Sequence, residues 1–196
     1  MNLSKDPNER NFYAGKNTLI GVADALTHFP LWRQTFGWAG ITSASYGNLV
    51  DQLVNRNMNI SLLPGGIAEM FIPPVKDTEE IYLNSRKGFI RLALETGSHL
   101  VPCYYFGQSH ILHQLNIPFL AKISRKIRVS LFVLVPWVFR HKIVMVMGRP
   151  IPVQKKEAPS DEDIQALHTQ FKNEMMRIFD SYKHLVSWNQ YKLVIQ

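Results

Sequence analysis

The sequence has a single cysteine and no apolar run long enough to cross a membrane. Cys103 has no second thiol with which to pair, which excludes an intrachain disulfide framework and is typical of a reducing compartment. The most apolar stretch, residues 129–139, is 11 residues long, whereas a membrane span needs about 20. The polar start, MNLSKDPNERNFYAG, lacks the apolar core of a secretory signal. The sequence therefore predicts that residues 129–139 form a core segment or an interfacial one.

Acidic residues are missing from residues 96–156, a gap that holds nine lysines and arginines. The net charge of the whole chain is +7, and this gap carries the entire excess. Such a positive electrostatic field favours binding to nucleic acid, to an anionic membrane surface or to a phosphorylated small molecule. The alternative is a solvated basic face that has no partner. Within residues 122–142 the basic residues alternate with large aliphatic ones, which favours a lipid–water interface. No stacking or Gly-rich motif of a nucleic-acid binder is present, so we expect no nucleic-acid partner.

The composition predicts a globular α/β protein. Apolar residues make up 46% of the 196 residues and charged residues 19%, which excludes a disordered chain or a fibre. We predict a polar lead-in over residues 1–17 and one domain over residues 18–196. Apolar periodicity predicts strands in 41–45, 59–63, 99–106, 130–135 and 142–148, and helices in 30–38, 46–57, 84–97, 109–126 and 160–182. This alternation favours a mainly parallel sheet flanked by helices, with ligands beyond the carboxyl ends of the strands.

A glycine pair with a nearby acid is the first candidate site. In LLPGGIAEMF, a predicted strand runs into Gly65 and Gly66, and Glu69 follows three residues later. Paired glycines let the backbone turn its amides toward an anion or a substrate oxygen. Glu69 stands close enough to that turn to orient a histidine or bind a hydroxyl. The alternative is an ordinary strand-exit turn with an exposed glutamate.

Two adjacent cations at the start of a predicted helix are the second candidate site. Asn84 or Ser85 is the predicted cap, so Arg86 and Lys87 fall in the first turn, where cations oppose the helix dipole. A bound anion would offset that cost, because free amides and two cations would then converge on one negative group. The alternative is simple pairing with Glu79 or Glu80 upstream.

The remaining reactive residues do not form a recognisable site. His110 and His113 are three residues apart without a third ligand nearby, so we expect no metal site. Cys103 has no base close in sequence, which favours an inert, buried thiol over a nucleophile. The chain contains no Gly-x-Ser-x-Gly elbow, HExxH pair or Walker loop.

Four blocks in a fixed order carry a resemblance. PGGIAE (64–69), RKGFIRLAL (86–94), LVPCYYFG (100–107) and GRPIPV (148–153) resemble the type-2 diacylglycerol acyltransferase family, which includes monoacylglycerol and wax-ester acyltransferases. The upstream segment FPLWRQTFGWAGITSAS is also similar to that family. The resemblance covers about residues 18–185.

The resemblance implies an acyl-CoA-dependent O-acyltransferase of triacylglycerol synthesis at the cytosolic face of the endoplasmic reticulum or at lipid droplets. Such an enzyme moves a fatty acyl group to the hydroxyl of diacylglycerol, monoacylglycerol or a fatty alcohol, with acyl-CoA as co-substrate and no further cofactor. By the same resemblance, Glu69 is the candidate catalytic acid and Gly65, Gly66, Arg86 and Lys87 are candidate substrate-binding residues. The fold it implies is that of the glycerolipid acyltransferases.

The chain departs from the family in its histidines. The family places its general base in a His-Pro-His-Gly motif, and related acyltransferases use His-x4-Asp. Neither pattern occurs in this sequence. The resemblance therefore implies an amino-terminally truncated chain whose histidine motif and hydrophobic anchor lie upstream. The alternative is a non-catalytic acyltransferase-like module that binds acyl-CoA or an anionic membrane.

Overall fold

The computed structural model describes residues 18–22, 40–66, 69, 75–108 and 143–196. Two compact units are formed, Met1–Leu62 and Leu63–Gln196. Several predicted features lie outside the described residues, namely the lead-in 1–17, the helices 30–38 and 109–126, the strand 130–135 and the basic segment 122–142.

The first unit contains a three-stranded parallel sheet. Strand β1 (Thr18–Val22) lies in the middle, with β2 (Ile41–Ser43) on one side and β3 (Asn59–Ser61) on the other. Between β2 and β3 run helix α1 (Tyr46–Val50) and a π-helical turn (Asp51–Asn55). A parallel pair needs such a crossover connection. The strands predicted in 41–45 and 59–63 and the helical segment in 46–57 are confirmed.

The second unit consists of two helices and two small sheets. In chain order its elements are β4 (Thr78–Ile81), α2 (Gly88–Thr96), β5 (Cys103–Phe106), β6 (Val144–Met147), α3 (Asp161–Tyr182), a 3₁₀ turn (Lys183–Val186) and β7 (Lys192–Ile195). Strand β4 pairs with β7 in parallel, and β5 pairs with β6 in antiparallel orientation. A bridge between Leu100 and Ile151 extends the second pair.

The α/β class is supported, with one difference in how the strands assemble. Parallel pairing dominates, as the sequence predicts, but the described strands form three small sheets rather than one. The strands predicted in 99–106 and 142–148 are present and shorter. Strands β4 and β7 were not predicted, because TEEI is polar and its partner lies more than a hundred residues away.

Helix α3 begins and ends where the sequence predicts. The Ser160 hydroxyl accepts a hydrogen bond from the Asp163 N–H at 3.2 Å, and the Asp163 carboxylate accepts one from the Ser160 N–H at 3.1 Å. This reciprocal pairing satisfies two backbone donors at the helix start. Among the described residues, no helix combines the length and the apolar character that crossing a membrane requires.

The core of the second unit is aromatic and lies against α3. Phe106 of β5 and Phe179 of α3 have no exposed surface, and their rings stack with centroids 5.8 Å apart. Trp188 and Tyr104 pack on the same two rings. Ile90 of α2 completes this cluster. The core thus fixes β5 and α2, the elements that border the two predicted sites.

Candidate functional site

The predicted glycine turn is present and folds back on Glu69. The Gly66 N–H donates to the Leu63 carbonyl oxygen at 3.1 Å, and Gly66 adopts a left-handed φ of 61°. Gly65 is buried, and a Cβ atom added there would overlap the Glu69 carboxyl group. Glycine at position 65 is therefore what allows the acid to lie against its own turn.

The Glu69 carboxylate connects this turn to the segment before α2. Its Oε1 atom accepts a hydrogen bond from the Tyr82 N–H at 3.0 Å. Burial raises the pKa of Glu69, while the Tyr82 hydrogen bond and the positive charge of Arg86 act in the opposite direction. The glycine turn, Glu69 and Arg86 are thus neighbours, as the sequence predicted.

The two cations precede helix α2 instead of occupying its first turn. The Arg86 N–H closes a turn with the Leu83 carbonyl oxygen at 3.0 Å, Lys87 is the N-cap residue, and the helix begins at Gly88. The predicted caps Asn84 and Ser85 are therefore wrong. The helix begins later than predicted because the chain before it is held in this turn by the buried Leu83. The predicted end at Gly97 is confirmed by its left-handed φ of 72°.

Pairing of these cations with upstream glutamates is not found. The ion pairs between described side chains do not involve Arg86 or Lys87. Glu79 is buried, and the Glu80 carboxylate accepts a hydrogen bond from the Gln196 side-chain amide at 2.7 Å. Both cations are exposed and face solvent, which leaves them accessible to a ligand.

The two cations act on different neighbours. His168 of α3 is 1% exposed, and its Nε2 lies 3.0 Å from the Leu83 carbonyl oxygen. Burial lowers the pKa of His168; the Leu83 carbonyl opposes this, and the charges of Lys172 and Lys87 add to it. A neutral His168 therefore donates to Leu83 and fastens the turn that carries both cations. The charge of Arg86 acts on Glu69, whereas that of Lys87 acts on His168.

Sequence reasoning missed a buried acid and phenol beside this site. The Tyr104 hydroxyl of β5 and the Glu79 carboxylate of β4 form a side-chain hydrogen bond, and the two residues are 5% and 8% exposed. Burial raises the pKa of Tyr104 well above its usual value, and the negative charges of Glu79 and Glu69 raise it further. The only signal in the sequence was the spacing of Glu79 and Ile81, two residues apart on one strand face.

Cys103 and His99 have surroundings that suit a role in the fold. Cys103 is partly buried, and this burial raises the pKa of its thiol, which agrees with the expected inert cysteine. His99 accepts the Val153 N–H at Nδ1, 3.0 Å away. His110 and His113 lie outside the described residues.

The raised pKa of Glu69 predicts a pH-dependent effect on stability. Because the pKa of Glu69 is higher in the folded state, the folded state keeps the proton to higher pH than the unfolded state does. The free energy of unfolding therefore falls as the pH rises from about 4.5 through the pKa of the folded state. Glu69→Gln keeps an acceptor for the Tyr82 N–H and removes this loss. We expect the variant to gain stability relative to the wild type across that window, measured by urea unfolding at several pH values.

Glu174 provides the opposite control for this measurement. Arg177, and then the Arg149 N–H, hold the pKa of Glu174 below its usual value. Glu174→Gln should therefore lose stability relative to the wild type above the unfolded pKa. If the free energy of unfolding changed with pH in the same way for the wild type and for Glu69→Gln, the raised pKa of Glu69 would be wrong.

The sequence matches known proteins over nearly its whole length. Residues 8–196 match the sequence profile of a family described as diacylglycerol acyltransferase. The chain is 32% identical to a diacylglycerol O-acyltransferase 1 of Eremothecium gossypii over 79% of this chain and 37% of that protein. It is 33% identical to a diacylglycerol O-acyltransferase 2 of Dictyostelium discoideum over 76% and 50%. It is 29% identical to a 2-acylglycerol O-acyltransferase 1 of Mus musculus over 89% and 57%.

The matches cover most of this chain but a smaller share of each relative. The chain spans between 37% and 57% of the length of these three relatives. No solved structure matches the chain.

Proposed function

Because the chain belongs to the diacylglycerol acyltransferase family, we propose that it takes part in acyl-CoA-dependent O-acyl transfer for triacylglycerol synthesis. The fatty acyl group would pass from the thioester of acyl-CoA to the hydroxyl of diacylglycerol or a similar acceptor. The names of its relatives, which act on diacylglycerol or 2-acylglycerol, support this acceptor class.

One observation carries the proposal most directly. The block that ends at Glu69 is joined, by the hydrogen bond from the Tyr82 N–H to the Glu69 carboxylate, to the segment that leads into the second block at residues 86–94. The same carboxylate is within electrostatic reach of Arg86. An acid and a cation at one place suit two substrates that meet there, an acceptor with a hydroxyl and a donor with phosphates.

We assign roles within this site by chemistry. Arg86 and Lys87 would bind phosphate groups of acyl-CoA, because both are exposed cations without ion pairs among the described side chains. Gly65 and Gly66 would bind substrate by forming the tight turn that lines the site, since the Gly66 N–H is itself bonded to the Leu63 carbonyl oxygen. Glu69 would hydrogen-bond the hydroxyl of the acceptor or orient the family's histidine, and burial raises the pKa of its carboxyl group.

The same proposal includes a location and a fold. The chain would work at the cytosolic face of the endoplasmic reticulum membrane or at lipid droplets, with residues 122–142 at the membrane surface. Their basic and large aliphatic residues match an anionic lipid interface. Residues 18–196 would form one glycerolipid-acyltransferase-like module.

The deciding experiment measures turnover and binding in the same preparation. The chain is incubated with radiolabelled acyl-CoA and diacylglycerol in detergent micelles, and labelled triacylglycerol is quantified. Acyl-CoA binding is measured by calorimetry. We expect acyl-CoA binding that unlabelled long-chain acyl-CoA displaces. Once the chain is joined to a segment that carries the family's His-Pro-His-Gly motif, we expect labelled product that Glu69→Gln reduces by about a hundredfold or more.

The non-catalytic alternative has a different result in this experiment. It predicts binding of acyl-CoA or of acidic vesicles with no product in the wild type or in any variant. Absence of both product and acyl-CoA binding would refute the proposed function.

A further inference from the structure

The proposed acyl-CoA site uses no residue of GRPIPV (148–153), the last of the four blocks. The structure places the start of this block against helix α3. A Cβ atom added at Gly148 would lie only 2.9 Å from Oε1 of Glu174, so glycine is what lets the helix come this close to the backbone. The Arg149 N–H donates to the same oxygen at 2.8 Å. The block therefore has a fixed position on α3.

A groove of about 380 Å³ lies between this block and α3. Residues 149–151 form one side of the groove, and Gln170, Asn173, Glu174 and Arg177 of α3 form the other. The four helical positions are three and four residues apart, which puts them on one face of the helix. Volumes of about 300–1,000 Å³ are typical of sites for small molecules. The groove is therefore large enough to hold a ligand.

The groove has more positive than negative charge. Its acid, Glu174, accepts hydrogen bonds from Nη2 of Arg177 at 2.6 Å and from Nε of Arg177 at 2.7 Å. The ion pairs between described side chains do not include Arg149, which is exposed. The charge of Arg149 nevertheless reaches the groove, because it contributes to the lowered pKa of Glu174. Two guanidinium groups thus share one carboxylate, and one positive charge is left for a ligand.

The hydrogen-bond donors around the groove indicate the chemistry of that ligand. A guanidinium offers parallel donors that match the oxygens of a phosphate. Gln170 and Asn173 are exposed side-chain amides, each with an NH₂ group that can donate. We propose that the groove between residues 149–151 and α3 is a second binding site, for a phosphate monoester. Arg149 is the main contact, and Arg177, held in place by Glu174, supplies further donors.

The proposed site is separate from Arg86 and Lys87. His168 of α3 contacts the Leu83 carbonyl oxygen, in the turn that carries those two cations. Arg177 follows His168 by nine residues, about two and a half turns of helix, and therefore lies on the opposite side of α3. The inference does not depend on the proposed acyl-CoA site, and each of the two can fail without the other.

Titration with glycerol phosphate tests the site in the absence of acyl-CoA. The Nε–H signals of Arg149 and Arg177 are followed by NMR in the ¹⁵N-labelled chain. We expect saturable shifts of both signals. Arg149→Gln should weaken the binding by about tenfold or more, read from the Arg177 signal, because it removes a charged donor. Since the Arg149 side chain is exposed, this variant should unfold at the same temperature as the wild type.

Arg91→Gln is the matched control, because Arg91 is an exposed arginine of α2. Its binding of glycerol phosphate should stay within about twofold of the wild type. The shift of the Arg177 signal should also persist when Arg86 and Lys87 are both replaced by alanine. Equal weakening in Arg149→Gln and Arg91→Gln would show that binding follows net charge, and would overturn the proposal.

A vesicle experiment separates a soluble phosphate from a lipid headgroup. Sedimentation of the wild type, Arg149→Gln and Arg91→Gln is compared on phosphatidylcholine vesicles with and without phosphatidic acid. A loss confined to Arg149→Gln on the vesicles with phosphatidic acid would assign a lipid headgroup. Equal sedimentation of all three, together with the shifts caused by glycerol phosphate, would assign a soluble phosphate. If neither probe distinguished Arg149→Gln from Arg91→Gln, the proposal would be wrong.

Discussion

Replacing Arg86 and Lys87 together by alanine should weaken acyl-CoA binding by about ten- to a hundredfold. Each cation is exposed and free of ion pairs among the described side chains, so no ion pair there competes with a phosphate ligand. A charge-assisted hydrogen bond to phosphate contributes about 1.5–3 kcal/mol, and tenfold in affinity corresponds to about 1.4 kcal/mol. Calorimetric titration with acyl-CoA measures the change directly.

The matched control removes one arginine and one lysine at other positions of the second unit. Arg91 and Lys192 are exposed and lie on α2 and β7. Their double alanine variant should bind acyl-CoA within about twofold of the wild type, since screening by salt leaves only weak long-range effects. Equal losses in the two double variants would show that binding follows net charge and not these two positions. The free energy of unfolding should change by less than about 1 kcal/mol in both.

Replacing Gly65 by alanine should cost more stability than any other single methyl addition at the site. The new Cβ atom would overlap the Glu69 carboxyl group, so either the backbone or the acid must move. Such overpacking costs about 1–3 kcal/mol. The displaced carboxyl group should also lose its hydrogen bond from the Tyr82 N–H. Denaturant unfolding measures the first effect, and the Glu69 titration should then move toward that of an exposed glutamate.

Gly88→Ala is the control for this substitution. Gly88 is the first residue of α2, and no atom lies within 4 Å of the position that its Cβ would take. Alanine is the better helix former by about 1 kcal/mol, so this variant should be as stable as the wild type or more stable. If Gly65→Ala behaved like Gly88→Ala, the close approach of Glu69 to the turn would be wrong.

The parts of the fold that the sequence predicts are those set by local chemistry. Ser160, followed by acids and an apolar periodicity, predicts α3 from its first residue to its last, because capping and burial both act within a few residues. Gly97 ends α2 for a similarly local reason. The glycine turn and its acid are also local, and their contact could be expected from spacing alone.

The rest depends on contacts between distant parts of the chain. Strand β4 forms because β7 supplies a partner, and nothing in TEEI indicates a strand without it. The burial of Glu79 and its bond to Tyr104 follow from that pairing and from the packing of β5 on α3. His168 looks like any polar residue of an amphipathic helix, although it lies in the core and holds the turn before α2. No periodicity in the sequence carries that information.

The parallel pairing of β4 with β7 has a consequence for the order of folding. Thr78 is matched with Lys192, and the Gln196 carbonyl oxygen accepts the N–H groups of Leu83 and Asn84, which begin the turn that carries Arg86. Closing a loop of this length is slow, because its entropy must be lost before the contacts form. Helices α2 and α3 can form first from local contacts, whereas the turn that presents Arg86 is completed only when strand β7 docks. The protein should therefore become able to bind a ligand at Arg86 only late on the folding pathway.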